Sequence, residues 1–397
     1  MADQCVIVSA KRSPFGKYLG ALSETEPLEL AAHVARSALS AAGKQIDREI
    51  DQIFVGNCIP SAFETGSVVG RQIGLKLALD VFTTTIDTAC CSPLTALRMA
   101  LWGMRLGELD AALILGVESM SRVPHFSRKL RAGVRVGPVE LTDPLYPISY
   151  PGHRPVAVDA SDGAEKYEVS RRMLDSFAMG SHLKWEQARL AGRFDDEIEP
   201  IRVRKQRREF LFSQDEMPRP DGSVAEIGLL APVFGSKSTT PGNAPGLNDG
   251  ASAMVIMRAD KAAALKLPHL GTIVEQASAT DTAEGISWIP ALAVQRLLEK
   301  TGTAVDDLDL IEINEAFAAM PLVSTKILAD GNPQKWLELL SKTNVNGGAV
   351  AIGHPVGASG LRIAMTLVYE LKRRGGGQGV AAICGGLTQG EAVLIRV

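Results

Sequence analysis

Along the chain, short apolar runs alternate with longer stretches in which apolar positions recur every three or four residues. The runs predict buried strands and the longer stretches predict amphipathic helices packed on them. Cys5-Val6-Ile7-Val8 predicts a strand near the amino terminus. A helix is predicted from about Leu28 to Ala42, then a strand over Asp51-Gln52-Ile53-Phe54-Val55-Gly56-Asn57. Thr83-Thr84-Thr85-Ile86-Asp87 predicts a strand entering a helix at Pro93, with Leu94, Leu97, Leu101 and Met104 on one face. Ala111-Ala112-Leu113-Ile114-Leu115-Gly116 predicts a further strand. The pattern is that of an α/β protein.

The same order returns later in the chain as a weak internal repeat. Leu292 to Thr301 leads to Asp309-Leu310-Ile311-Glu312-Ile313-Asn314, so both copies read helix, loop, strand, Asn. Thr343-Asn344-Val345-Asn346 stands where the threonine-rich strand stood. A Gly-rich loop and a helix follow, with Leu361, Ala364, Val368 and Leu371 facing inward. Val380-Ala381-Ala382-Ile383-Cys384-Gly385 matches Ala111 to Gly116. Two similarly built halves are expected, residues 1–120 with 251–270 and residues 271–397. Between them, residues 121–250 break the pattern, with many Pro and Arg residues. There a helical piece near Arg171 to Leu190 and a charged strand-like piece from Ile201 to Phe212 are expected. An inserted segment of this composition suits a cover over a substrate or an oligomerisation arm.

Bulk properties narrow the function classes. At 397 residues the chain exceeds what one core usually fills. A hydrophobic content of 46% with 22% charged residues fits an ordinary globular protein, and no apolar run is long enough to cross a bilayer. Met1 to Ala10 has the features of neither a secretion signal nor a transit peptide, so a cytoplasmic protein with no membrane partner is expected. The net charge of −3 gives no case for a nucleic-acid partner. Five cysteines in so long a chain are not a disulfide framework, and the absence of C-x-x-C and of a His pair at helical spacing argues against a metal. The value of a cysteine here lies in its thiolate chemistry.

Cys90 falls between a predicted strand and a helix whose first turn holds Pro93. The positive end of that helix would favour thiolate. Taken alone, the segment fits a small buried structural cysteine better than a nucleophile. Cys91, one residue on, is expected to point elsewhere. The second feature is Asn346-Gly347-Gly348-Ala349-Val350-Ala351-Ile352-Gly353-His354-Pro355-Val356-Gly357-Ala358-Ser359-Gly360. A histidine held among so many glycines sits on tight turns and can partner a thiol. The loop lacks G-x-G-x-x-G and Gly-Lys-Ser/Thr, which removes a phosphate loop, and no G-x-S-x-G marks a serine hydrolase. Cys384-Gly385-Gly386 ends a strand that is the repeat-mate of Leu115-Gly116, which sets Cys384 opposite Cys90 as a candidate acid/base. Asn314-Glu315-Ala316-Phe317-Ala318 closes another strand and also reads as a helix cap.

Taken in order, these segments resemble the thiolase family, the acyl-CoA C-acetyltransferases, over essentially the whole chain. The Asn314 and His354 motifs are similar to family motifs, as is Pro241-Gly242-Asn243-Ala244-Pro245-Gly246-Leu247-Asn248-Asp249-Gly250. The resemblance implies two pseudo-twofold-related halves in a layered α-β-α-β-α core with an inserted loop domain. It implies that Cys90 attacks an acyl thioester, that His354 helps form the thiolate and binds the oxyanion, and that Asn314 holds a water beside it. Cys384 would move the α-carbon proton, and the backbone N–H groups of Cys90 and Gly386 would form a second oxyanion site. Arg219 and Phe317 are carried over as substrate-binding residues. No tightly bound cofactor is implied: coenzyme A and acyl-CoA are substrate or product, in thiolysis or condensation within fatty acid metabolism, by a homodimer or homotetramer. The chain departs from the family at Asp87, at Cys91-Ser92-Pro93, at Leu387 and at Arg154-Pro155-Val156. Two other readings are a ketoacyl-synthase-type condensing enzyme and a CoA- or lipid-binding homologue with reduced catalysis. The run Arg202, Arg204, Lys205, Arg207, Arg208 could reach phosphates, but a solvated hairpin face accounts for it better.

Overall fold

A computed structural model describes residues 4–128, 130–146, 150 and 152–397. Its strands, in chain order, are β1 (Cys5–Arg12), β2 (Gly16–Lys17), β3 (Gln52–Gly56), β4 (Phe82–Ile86), β5 (Ala111–Ser119), β6 (Ile201–Lys205), β7 (Arg208–Phe212), β8 (Asn248–Arg258), β9 (Gly271–Thr280), β10 (Leu310–Ile313), β11 (Gln378–Gly385) and β12 (Gln389–Arg396). All but the β6–β7 hairpin join one sheet, in the order β4-β3-β5-β8-β1-β9-β12-β11-β10, with β2 beside β8.

That order explains the sequence repeat. Read from the centre outward, β1, β8, β5, β3 and β4 of the first half answer β9, β12, β11 and β10 of the second, and β1 pairs antiparallel with β9 to join the halves. The expected counterpart of β4 is not a strand. Thr343 makes a single parallel bridge to Ile311, and there the pairing stops. Asn344 turns left-handed at φ 45° and takes over the ladder with its side chain, accepting from the Ile313 N–H and donating to the Ile313 carbonyl. An amide side chain thus does the work of a backbone rung.

Alternation along the strands sorts side chains into layers. In β1, Val6 and Val8 face an outer core with the helix Pro27–Ala42, while Cys5 and Ile7 face a central core. Two helices fill the centre, Ser92–Arg105 and Val356–Arg373, whose Leu94, Leu97, Leu361 and Leu371 are fully buried between the two halves of the sheet. The helix Ile289–Thr301 covers the far side with Ala319–Leu328. This is the α-β-α-β-α order.

The inserted segment carries the helix Arg171–Leu190 and the β6–β7 hairpin, so the strand-like piece is two strands rather than one. Most of the basic side chains on that hairpin are exposed, the solvated face expected of them. The insertion is fastened by buried charge. Arg12 of β1, fully buried, donates to Glu197 at 2.8 Å and to both oxygens of Asp215 at 2.7 and 3.1 Å. Asp215 also accepts from the Trp185 indole, and Glu197 accepts from Thr366 of the second half. One guanidinium therefore ties together the first half, the insertion and, through Glu197, the central helix of the second half. Removing Arg12 would strand two buried carboxylates without a counter-charge.

Candidate active site

Cys90 sits in the turn that leads from β4 into the central helix Ser92–Arg105. Asp87 shapes that turn by accepting the Ala89 N–H at 2.9 Å, and Ala89 adopts a left-handed φ of 52°. Pro93 occupies the first helical turn, where its missing N–H costs nothing. Cys91 points away, as expected: its thiol is buried against the carbonyls of Ile383 and Gln389.

His354 approaches from the other half. Gly353 precedes it at φ 98°, and a Cβ there would fall 2.3 Å from the Asn248 side chain, so only glycine fits. Asn248 in turn accepts the His354 N–H at 2.8 Å. The ring nitrogen Nε2 lies 3.2 Å from the Cys90 Sγ. On the other side Nδ1 lies 2.7 Å from the Ser359 Oγ, and that hydroxyl spends its one proton on the Pro355 carbonyl at 3.0 Å. Ser359 can then only accept from the ring, so the proton resides on Nδ1 and Nε2 is left as a base facing the thiol.

The electrostatics favour the neutral form of each partner. Burial drives the His354 imidazole down to about 3, with the Arg362 charge adding to the effect. Burial likewise pushes the Cys90 thiol well above its ordinary value, and the nearby Cys384, Glu118 and Asp87 raise it further. The sequence led us to expect a thiolate favoured by the helix terminus. Desolvation outweighs the dipole, and the resting sulfur keeps its proton.

Asn314 ends β10, and its amide nitrogen stands 3.5 Å from each ring nitrogen of His354. Arg362 donates to the Asn314 Oδ1 at 3.3 Å, which turns the amide N–H₂ toward the histidine. Cys384 lies on the adjacent strand, buried, near enough to Cys90 for its charge to act on that thiol. Beyond it, Gly385 packs against the Thr88 carbonyl and the Cys91 sulfur, which seats the turn of Gly386 on the Cys90 loop. The structure therefore gathers Cys90, His354, Asn314, Cys384 and Gly386. It does not join Arg219 or Phe317 to them by any hydrogen bond. The Arg219 side chain is exposed and its backbone N–H donates to His182, while Phe317 packs half-buried on the outer core of the second half.

Several supporting residues were not singled out from the sequence. Ser359 sits inside the histidine motif, and only its position one helical turn after Pro355 hints at its bond to the ring. Glu118 accepts from the backbone N–H groups of Cys58, Ile59 and Gly357, and burial raises its carboxyl to about 7. The Pro241–Gly250 motif proves to be scaffold: Asn243 accepts the Ala318 N–H through its carbonyl, and Asn248 holds His354. Tyr150 of the insertion reaches Gly386, with nothing in its sequence context to mark it. Among the described residues no cluster of His, Cys, Asp or Glu is arranged to hold a metal.

A half-buried thiol against a buried imidazole, a second cysteine and an amide beside them suit covalent acyl transfer. Comparison with known proteins agrees. The chain matches the family description "Thiolase, N-terminal domain" over residues 5–260 and "Thiolase, C-terminal domain" over residues 267–397. It is 37% identical over 398 residues to the mitochondrial 3-ketoacyl-CoA thiolase of Bos taurus, covering 98% of this chain and 97% of that protein. It is also 37% identical over 399 residues to a probable acetyl-CoA acetyltransferase of Escherichia coli (strain K12), covering 98% of each. The crystal structure of human mitochondrial 3-ketoacyl-CoA thiolase in complex with CoA matches with a TM-score of 0.91 at 34% identity, over 99% of this chain and 98% of that one. The chain belongs to the thiolase family and is an enzyme of the acyl-CoA C-acyltransferase type, working through a cysteine acyl-enzyme.

Proposed function

We propose that Cys90 is the nucleophile that carries the acyl group and that His354 is its base. The observation that carries this is the 3.2 Å contact between Sγ and an Nε2 freed to accept by Ser359. As the sulfur attacks the thioester carbon of an acyl-CoA, or the ketone carbon of a 3-ketoacyl-CoA, its proton passes to Nε2, and the new C–S bond forms while the carbonyl oxygen takes up charge. The leaving group departs as CoA thiol or, from a 3-ketoacyl substrate, as the α-carbon of an acyl-CoA. In this reading Cys384 supplies or removes the proton at that carbon. Asn314, with a water it holds, and His354 stabilise one oxyanion, and the backbone N–H groups of Cys90 and Gly386 stabilise another. Arg219, exposed on the insertion, is proposed to meet the CoA nucleotide, and Phe317 to line the approach of the substrate. The free state of all five cysteines supports work in a reducing cytoplasm.

The same proposal includes a homo-oligomer. The sheet ends at β4, an uncharged edge strand of sequence FTTTI whose Phe82 is 75% exposed, and Val68 and Leu75 are exposed beside it. Such an edge invites pairing, and a twofold axis lets the same strand of a second copy close it.

Incubation with acyl-CoA and 3-ketoacyl-CoA thioesters, read by intact mass, tests the nucleophile. Wild type gains the acyl mass and Cys90→Ala does not. Acylation that persists in Cys90→Ala would sink the assignment.

A further inference from the structure

Gly386 poses a question that backbone geometry does not answer. It is absent from the left-handed residues, so its conformation does not demand glycine. The demand is spatial. A Cβ on Gly386 would lie 1.7 Å from the Tyr150 Oη, 2.5 Å from its Cζ and 3.1 Å from the Ala89 Cβ. The phenol oxygen therefore rests on the Gly386 backbone, beside the residue that precedes the nucleophile.

Its surroundings are those of the reaction site. Burial, and after it the nearness of Cys90, Cys58, Asp87 and Cys384, holds the Tyr150 phenol above its ordinary value. It stays a neutral O–H and so an available donor. That hydroxyl forms no hydrogen bond with any described residue, and the tyrosine is half-buried, so its O–H is open to a partner that arrives with substrate.

A donor without an acceptor, placed against the Gly386 backbone, is complementary to an acceptor that arrives with substrate. Of the substrate atoms that must come to Cys90, the thioester oxygen is the one that gains negative charge as sulfur attacks. We propose that Tyr150 is a further catalytic residue whose hydroxyl donates to the thioester oxygen bound at Gly386. The inserted segment would then complete the oxyanion site besides covering it. The bond strengthens only as charge develops, so it lowers the barrier more than it tightens binding.

This rests on Cys90 being the nucleophile, and the experiment separates the two ideas. Tyr150→Phe keeps the ring and removes the donor. Its single-turnover acylation should slow by about 10- to 100-fold, with KM for the thioester changed by less than about threefold. Alkylation of Cys90 by iodoacetamide, which builds no oxyanion, should proceed at the wild-type rate. Acylation at the wild-type rate or faster overturns the proposal; a faster rate would make the phenol a plug. Acylation and alkylation slowed together also overturn it, because the tyrosine would then act on the thiol. A wild type that is not acylated, or a Cys90→Ala variant that is, would instead remove the underlying assignment of the nucleophile.

Discussion

Replacing Ser359 by alanine tests the feature on which the thiol–imidazole pair depends. In the native site the His354 Nδ1–H is satisfied by the Ser359 Oγ at 2.7 Å. Among the described residues no other acceptor is bonded to that N–H. The Asn314 amide nitrogen at 3.5 Å is itself a donor, and its oxygen is engaged by Arg362. In Ser359→Ala the ring must either leave a buried N–H unpaired, at a cost of about 1–3 kcal/mol, or move its proton to Nε2. The second choice points a donor at Cys90 and removes the base. If the competent tautomer is disfavoured by that amount, acylation slows by about 5- to 150-fold. Because Ser359 is buried in the helix and touches no substrate in this arrangement, KM should change little. Single-turnover acylation read by quenched intact mass is the assay, and Ser359→Thr, which restores a hydroxyl, should recover most of the rate. A Ser359→Ala variant within twofold of wild type, folded to the same melting temperature, would refute the tautomer argument.

Asp87→Asn keeps the oxygen that accepts the Ala89 N–H but deletes a charge that raises the Cys90 thiol, so iodoacetamide alkylation at fixed pH should accelerate a few-fold; an unchanged rate would show that Asp87 acts on the turn alone. Leu387, 42% exposed, holds a left-handed φ of 55° in the turn from β11 to β12, and Leu387→Gly should stabilise the fold by about 0.5–1 kcal/mol as released strain outweighs added chain entropy, measured by denaturant unfolding. A loss of stability there would mean that the leucine packs against something that matters more. Burial lowers His182 from 6.5 to about 4, so the unfolded chain takes up a proton that the fold refuses: this contribution is complete above pH 6.5 and lost as pH falls toward 4, by about 3 kcal/mol in all. His182→Gln should remove that part of the pH dependence, and a stability difference from wild type that stays constant between pH 7 and 4 would contradict it.

The halves, the repeat and the four residues that the structure gathers at one site were legible in the sequence because they depend on local pattern. A strand reads as an apolar run, and a motif such as Asn314–Ala318 keeps its spacing whatever folds around it. What was not legible depends on contacts between distant segments. Asn57 and Asn314 occupy the same place in the repeat, yet Asn57 is committed to the Val117 carbonyl and the Glu118 carboxylate while Asn314 faces the histidine. Their neighbours decide between a structural and a chemical role. The missing partner strand at Thr343 is a similar case, since nothing in its composition reveals that Asn344 will bond to β10 with its side chain. The departures at Cys91, Pro93 and Leu387 also became readable only in place: the first fills the central core, the second starts a helix, and the third bears strain.

The reversal at Cys90 shows how these levels interact. The helix start favours a thiolate, but desolvation raises the Cys90 thiol and acts against that dipole. Arg362 works in the same direction on the other partner: its guanidinium, needed to orient Asn314, opposes an imidazolium at His354. A standing thiolate–imidazolium pair is thus disfavoured from both ends. Groups that act once the carbonyl oxygen begins to carry charge then gain in importance, which is the role proposed above for the donors at Gly386, Asn314 and Tyr150.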